Sequence, residues 1–293
     1  MSANFFLIVR SDGDSSRVLK LLLNANVQNE LEREFERQLG NFETQETKYI
    51  NFSGGYRPDD KEKEMFRVNG FRLPDCILKT ATQPQAYSPF TIANRDGGTI
   101  QSIFMVRQGK TGSEFVFQSF QQSKIIDNRT FTIFYDKSTF RRFNDFAISI
   151  GKHLAASFHS NALHFLSYFT VRQFLDLTDI FSEATEQDIT DILNSPLIAC
   201  ENEETVLANC DTGVRRKFSL VKQSGILEKT PIKKVKDAAK RLNVDVKFKG
   251  EKIDFPMDKK NMRGVLKFLC EEVYEGPLTG EVYETNSKRR TEE

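Results

Sequence analysis

Between Thr99 and Tyr168, aromatic and β-branched residues alternate with polar ones in five runs: IQSIFMVRQ, SEFVFQSFQ, RTFTIFYDK, FAISI and HLAASFHSNALHFLSY. Short turns or polar breaks separate them. A period of two over successive short runs predicts antiparallel strands with a buried face. On SEFVFQSFQ, Phe115, Phe117 and Ser119 share one side while Val116, Gln118 and Phe120 share the other. Both sides carry aromatics, so helices should cover one face of the sheet fully and the other at least in part.

Upstream, ANFFLIVR and RVLKLLL flank the turn pair Asp12-Gly13 and predict an opening hairpin. From Asn26, the spacing of Val27, Leu31, Phe35 and Leu39 predicts a helix that Gly40 ends. Residues 53–64 read as an exposed charged loop, and FRLPDCILKTA as a short helix begun by Pro74. After Phe169 the period lengthens. FTVRQFLDLTDIF and TEQDITDILN predict two short helices, the second capped by Thr185, with Pro196 terminating the pair.

Further on, Thr230 and Pro231 should start a helix over IKKVKDAAKRL that Asn243 closes. At 100° per residue, Ile232, Val235, Ala238, Ala239 and Leu242 fall within about 120° of one another, and Lys233, Lys234, Lys236, Lys240 and Arg241 fill the opposite arc. VDVKF and KIDF predict a small hairpin about Lys249-Gly250 that adds Lys247, Lys249 and Lys252. A last helix, capped by Asp258, buries Met262, Val265, Leu266, Leu269 and Val273 and carries Lys259, Lys260, Arg263 and Lys267 on one flank. The tail should be ordered as far as Tyr283.

These elements predict an α+β protein: an antiparallel, aromatic-rich sheet with flanking helices over residues 1–170, and a basic, mainly helical region over residues 171–293. With 293 residues, 39% of them hydrophobic, and 26 phenylalanines, the chain can bury a large core. No apolar run approaches the roughly 18 residues of a membrane span, and no basic segment precedes the opening apolar run, so a cytoplasmic location is expected.

Net charge is only +1, yet it is unevenly spread. Residues 171–210 carry nine acids and one arginine, whereas residues 211–267 carry 17 bases and seven acids. An excess of that size, repeated on successive elements, points to a polyanion-facing surface beside an acidic stretch. The candidate contacts are Arg215, Arg216, Lys217, Lys233, Lys234, Lys236, Lys240, Arg241, Lys247, Lys249, Lys259, Lys260 and Arg263. No finger, recognition helix or aromatic triplet selects bases, so the expected ligand is a polyanion met through its phosphate backbone, without regard to sequence.

Other chemistry finds little support in the sequence. Gly109-Lys110-Thr111 has Phe104 where a phosphate-binding loop needs glycine, and Gly54-Gly55 and Gly97-Gly98 precede no suitable helix. Cys76, Cys200, Cys210 and Cys270 are far apart and read as reduced thiols. His153, His159 and His164 have no cysteine or carboxylate at ligand spacing, so no metal, cofactor or catalytic residue is assigned. The rival readings are a Mg²⁺-dependent nuclease using Asp245 and Lys247 as a D-x-K arm, and an interaction module docking its basic face on anionic lipid or an acidic protein.

Several segments together resemble one family. LPDCI at Leu73–Ile77, IQSIF at Ile100–Phe104, FVFQSFQQSKII at Phe115–Ile126, FLDLTDIFSEATEQDI at Phe174–Ile189 and LTGEVYETNSKRR at Leu278–Arg290 are similar to the KwaB-like proteins of the bacterial Kiwa anti-phage system. The resemblance implies a DNA-binding effector that blocks phage replication and expression, self-associates, and is recruited to the inner membrane by a membrane partner resembling KwaA. It carries over no catalytic residue. The pair Phe117-Gln118 and the stretch Thr279–Tyr283 are expected to fix the fold.

Overall fold

Alternation in NFFLIVR and its neighbour gives the first two strands, β1 (Asn4–Arg10) and β2 (Ser16–Lys20), which pair antiparallel with Phe6 opposite Lys20 and Arg10 opposite Ser16. The computed structural model describes residues 3–11, 16–91, 98–109, 112–126, 131–143, 145–285 and 287–288. The Asp12-Gly13 turn, Gly97, Lys110-Thr111 and the end of the tail lie outside the described residues. The chain forms two compact units, Met1–Phe52 with Pro58–Asp176, and Ser53–Arg57 with Leu177–Glu293.

In the first unit, α1 (Ala25–Phe42) starts where Asn24 accepts a 3.0 Å hydrogen bond from the Val27 amide. Gly40 does not end it. That residue is exposed inside the helix, and the chain leaves only at Glu43, whose amide still bonds the Leu39 carbonyl at 2.8 Å. Then come β3 (Lys48–Asn51), β4 (Glu64–Asn69) and α2 (Asp75–Thr82), the last with Pro74 at its cap. The aromatic stretch supplies β5 (Thr99–Gly109), β6 (Gly112–Ser119), β7 (Ile125–Ile126), β8 (Thr132–Asp136), β9 (Thr139–Phe143), β10 (Ala147–Ile148), β11 (Ala156–His159) and β12 (Ala162–Phe165). A single turn, α3 (Tyr168–Val171), follows.

Eight of these strands make one sheet in the order β2-β1-β5-β6-β11-β12-β4-β3, antiparallel except for β3 beside β4. The sheet therefore draws on both ends of the unit and not on the five alternating runs alone. Only the first, second and last runs enter it, the last folding back on itself about Ser160-Asn161, both at positive φ (50° and 58°). RTFTIFYDK instead pairs with β9 as a separate hairpin, and FAISI pairs with β7. A free hairpin alternates just as a sheet strand does, so the pattern could not separate them. Exposure does: Phe131, Ile133, Tyr135 and Phe140 are all more than half exposed.

Both sheet faces are apolar. On one, Phe5, Leu7, Val9, Ile103, Met105 and Val116 pack with Phe35 of α1. On the other, Phe6, Phe104, Phe117 and Phe174 stand in a row with ring centroids 5.3–5.6 Å apart. Such spacing adds roughly 0.5–1.5 kcal/mol per pair beyond the area buried. Gln118 is buried on the α1 side, where its amide donates to Gln38 Oε1 at 2.6 Å and to the Gly151 carbonyl at 3.0 Å. Those partners satisfy a polar group that would otherwise cost about 1–3 kcal/mol to bury.

The second unit contains α4 (Glu186–Leu193), β13 (Ile198–Ala199), α5 (Glu203–Ala208), α6 (Thr212–Ser224), α7 (Ile226–Lys229) and α8 (Ile232–Arg241). It continues with β14 (Phe248–Lys249), β15 (Lys252–Asp254), α9 (Lys259–Leu269), β16 (Val273–Glu275) and β17 (Val282–Glu284). Thr185 caps α4 as expected, and Asp188 completes a reciprocal box with it. The preceding FTVRQFLDLTDIF forms one helical turn and then irregular chain rather than a helix. Its core joins Ile189, Val206, Val214, Phe218, Val235, Ile253, Met262 and Leu266. Val273, expected on the last helix, opens β16 instead, because Glu271 turns the chain at φ 54°.

Candidate nucleic-acid interface

Helix α8 is built as its spacing requires. Pro231 stands at the N-cap, Leu242 at the C-cap, and Asn243 follows in the left-handed region at φ 48°. Val235, Ala239 and Leu242 are buried, and burying Val235 and Leu242 contributes about 1.5–3 kcal/mol each. Lys233, Lys234, Lys240 and Arg241 point to solvent, while Lys236 is half-buried.

Residues three and four apart share a helix face, so Lys233, Lys236 and Lys240 form one row. The β14–β15 hairpin meets that row at its middle. The Lys236 ammonium lies 2.8 Å from Glu251 Oε1 and 5.9 Å from the centroid of the Phe248 ring. Lys234 and Arg241 occupy the other flank, where they line a groove of about 540 Å³ with Glu271, Tyr274 and Glu275. There Arg241 Nε reaches Glu275 at 3.5 Å.

Acids engage much of the remaining positive charge. Arg215, half-buried, donates to the Ala184 carbonyl at 3.3 Å and reaches Glu186 at 3.4 Å. Arg216 donates to the Gly54 carbonyl and lies 6.0 Å from the centroid of Phe181. Lys217 Nζ is held by both oxygens of buried Glu272, at 2.5 and 2.7 Å. Lys249 is 3.6 Å from Glu201, and Lys259 and Arg263 converge on Asp211 at 2.7 and 2.6 Å. A hydrogen bond from Lys259, then one from the Val214 amide, hold the Asp211 carboxyl down at about 2. Lys222 likewise holds Asp188 of the acidic stretch.

Lys233, Lys234, Lys240, Lys247 and Lys260 are exposed and make no ion pair among the described residues. Of these, Lys247 lines a cavity of about 340 Å³ with Glu201, Asp245, Asp254 and Asp258, a setting poor for phosphate. The acids that a D-x-K arm would need are thus near Asp245. Yet they do not converge as metal ligands. Among the described residues, the trio whose ligand atoms do converge is Glu43, His159 and His164.

That trio was invisible along the chain, since Glu43 is 116 residues from His159. The SFHSNALH hairpin itself does signal that Ser157, His159 and His164 share a face, because its two-residue turn sets Ser157 opposite His164.

A family model described as Kiwa protein KwaB-like matches residues 102–279, more than half of the chain. No curated protein and no solved structure matches significantly. Among the described residues, no helix is long and apolar enough to cross a membrane.

Proposed function

The chain belongs to the Kiwa protein KwaB-like family and so to an anti-phage defence system, and from that premise we propose that it binds DNA through its backbone, with α8 as the principal contact. The observation that carries this reading is the cationic side of α8, on which Lys233, Lys234 and Lys240 stay exposed and unengaged while neighbouring cations are held by acids. Lys236, Arg241 and Lys249, whose acid partners are themselves exposed, join these three. Arg215, Arg216 and Lys217 are tied down within the unit and have no part in this interface. Lys259, Lys260 and Arg263 are secondary, because Asp211 already holds two of the three.

Phosphate binding releases counterions, with log K falling by about 0.9 per log unit of salt for each contact. At about 0.15 M salt each contact is therefore worth roughly fivefold, and three together on the order of a hundredfold. Replacing Lys233, Lys234 and Lys240 with glutamine should weaken binding of the full-length chain to duplexes of any sequence by that factor and flatten the salt slope by about 2.7. Filter binding across a salt series reads both. Unchanged slope and affinity would remove α8 from the interface, and no binding even at low salt would end the DNA reading. Cleavage of plasmid with Mg²⁺, lost in Asp245→Ala, would favour the nuclease instead. Competition by anionic vesicles at equal charge would favour a lipid surface.

The family also supports action beside a membrane protein resembling KwaA, and association of the chain with further copies of itself. The acidic stretch 171–210 is a weaker candidate for contacting such partners than its composition suggests. Glu186, Asp188 and Glu201 are already engaged by Arg215, Lys222 and Lys249.

A further inference from the structure

The first unit holds a polar cluster that DNA binding does not use. It forms where the C-terminal end of α1 lies against the β11–β12 hairpin. Ser157 and His159 are two residues apart on β11 and so share a face, and His164 stands directly across from Ser157 on β12. The same face carries Val116 of β6, which packs in the core with Phe35 of α1, so the helix runs along this side of the sheet. Glu43, the C-cap of α1, projects its carboxylate among the three side chains.

The contacts are close. His159 Nε2 lies 2.8 Å from Glu43 Oε2, and His164 Nδ1 lies 3.7 Å from Glu43 Oε1. One ligand atom from each residue falls within 4.8 Å of the other two, and the imidazole centroids are 4.5 Å apart. Tetrahedral coordination with bonds of about 2.0–2.2 Å sets neighbouring ligand atoms about 3.4 Å apart. The observed separations bracket that value, and relative movement of roughly 1 Å at the widest pair would close the site around an ion.

Side chains around the trio hold it in place. The Tyr49 hydroxyl donates to Glu43 Oε2 at 3.1 Å, and the Ser157 hydroxyl donates to Oε1. Outer contacts of this kind fix a ligating carboxylate. The His164 side chain is only 2% exposed, whereas His159 is 28% exposed. The cluster is thus rigid at its floor and open on one side. Arg67, whose guanidinium lies 5.7 Å from the centroid of Tyr49, brings a positive charge nearby that Glu43 must also offset.

We propose that Glu43, His159 and His164 form a binding site for a divalent transition ion, with two imidazole nitrogens and one carboxylate as protein ligands and the fourth position toward solvent. Two imidazoles with one carboxylate suit zinc and its neighbours and disfavour Mg²⁺ and Ca²⁺, which take oxygen ligands. The site shares no residue with the lysines of α8 or with Asp245.

The test uses the full chain, stripped with chelator and dialysed. Zn²⁺ is titrated by calorimetry, and Co²⁺ by its visible absorption, which also reports whether thiolate is a ligand. The expected result is one ion per chain, a cobalt spectrum without thiolate bands, and a Zn²⁺-dependent rise in melting temperature. E43Q, H159A and H164A should each weaken uptake at least tenfold and abolish that rise. E43Q keeps the size and shape of the side chain and H159A alters a group 28% exposed, and their melting without metal shows that they fold. Absence of stoichiometric uptake by the wild-type chain would overturn the proposal, as would uptake undiminished in E43Q and H159A or a thiolate-ligated spectrum. Competition by excess Mg²⁺ would overturn the choice of ion.

Discussion

The Lys217–Glu272 pair offers the sharpest test of how the basic segment divides between surface and scaffold. Lys217 sits on α6 beside residues that a linear reading assigns to DNA, but its ammonium meets both oxygens of Glu272, with side-chain exposures of 20% and 9%. Two unit charges about 4 Å apart attract by about 4 kcal/mol at an effective dielectric of 20, most of it offset by the cost of leaving water. Lys217→Met removes only the cation and leaves a nearly buried carboxylate with no ammonium, which should cost about 2–4 kcal/mol. Glu272→Gln should cost less, about 1–2 kcal/mol, because the more exposed ammonium can turn to water. The double change to Met at both positions should return to within about 1 kcal/mol of wild type. Urea unfolding followed by circular dichroism reads these as shifts in midpoint, at a slope of about 2 kcal/mol per molar. The folded Lys217→Met protein should keep wild-type DNA affinity. A cost below about 0.5 kcal/mol, or a fall in DNA affinity matching that of the α8 variants, would refute the assignment of Lys217 to the scaffold.

Other consequences follow from single contacts. Lys222 and the capping contacts from Thr185 hold Asp188 at about 2, below its ordinary 3.8, so it stabilises the fold above about 3.8 and ceases to as pH falls toward 2. Asp188→Asn should therefore flatten the decline of the urea midpoint in that acid window, and an unchanged profile would contradict the contact. A Cβ at Gly54 would stand 2.6 Å from Cε2 of buried Phe181, so Gly54→Ala should cost about 1–3 kcal/mol and lower the melting temperature. Gly40, inside α1 with open space around it, should instead gain about 0.5–1 kcal/mol as alanine in the same calorimetric scan. Burial pushes the Cys270 thiol up to about 12, so iodoacetamide at pH 8 should spare it until the protein unfolds, while exposed Cys76 is alkylated. Labelling of Cys270 in the native state, read by mass spectrometry, would contradict its burial.

Elements governed by local rules were legible. The caps Thr185 and Asp258, the amphipathic α8 and the hairpin about Gly250 all depend on residues within a few positions of one another. Less legible were strands without a long alternating run. KYIN and EMFRVN become sheet strands because β12 and each other supply their hydrogen bonds, and two-residue β13 exists only as a partner for β15. Conversely, β8 has the alternation of a core strand, yet Ile133, Phe134 and Tyr135 stay exposed among the described residues.

Sequence by itself determined the α+β character, the cationic face of α8 and the family likeness, because period, charge and wording are properties of order along the chain. Tertiary structure alone decided which cations remain available, since ion pairs such as Lys217 with Glu272 and Arg263 with Asp211 join residues more than 50 positions apart. It also brought Glu43 to His159 and His164, a meeting that needs the end of a helix to reach across a sheet. Charge counts add along a chain, but coordination and neutralisation depend on distances of a few ångströms that only packing sets.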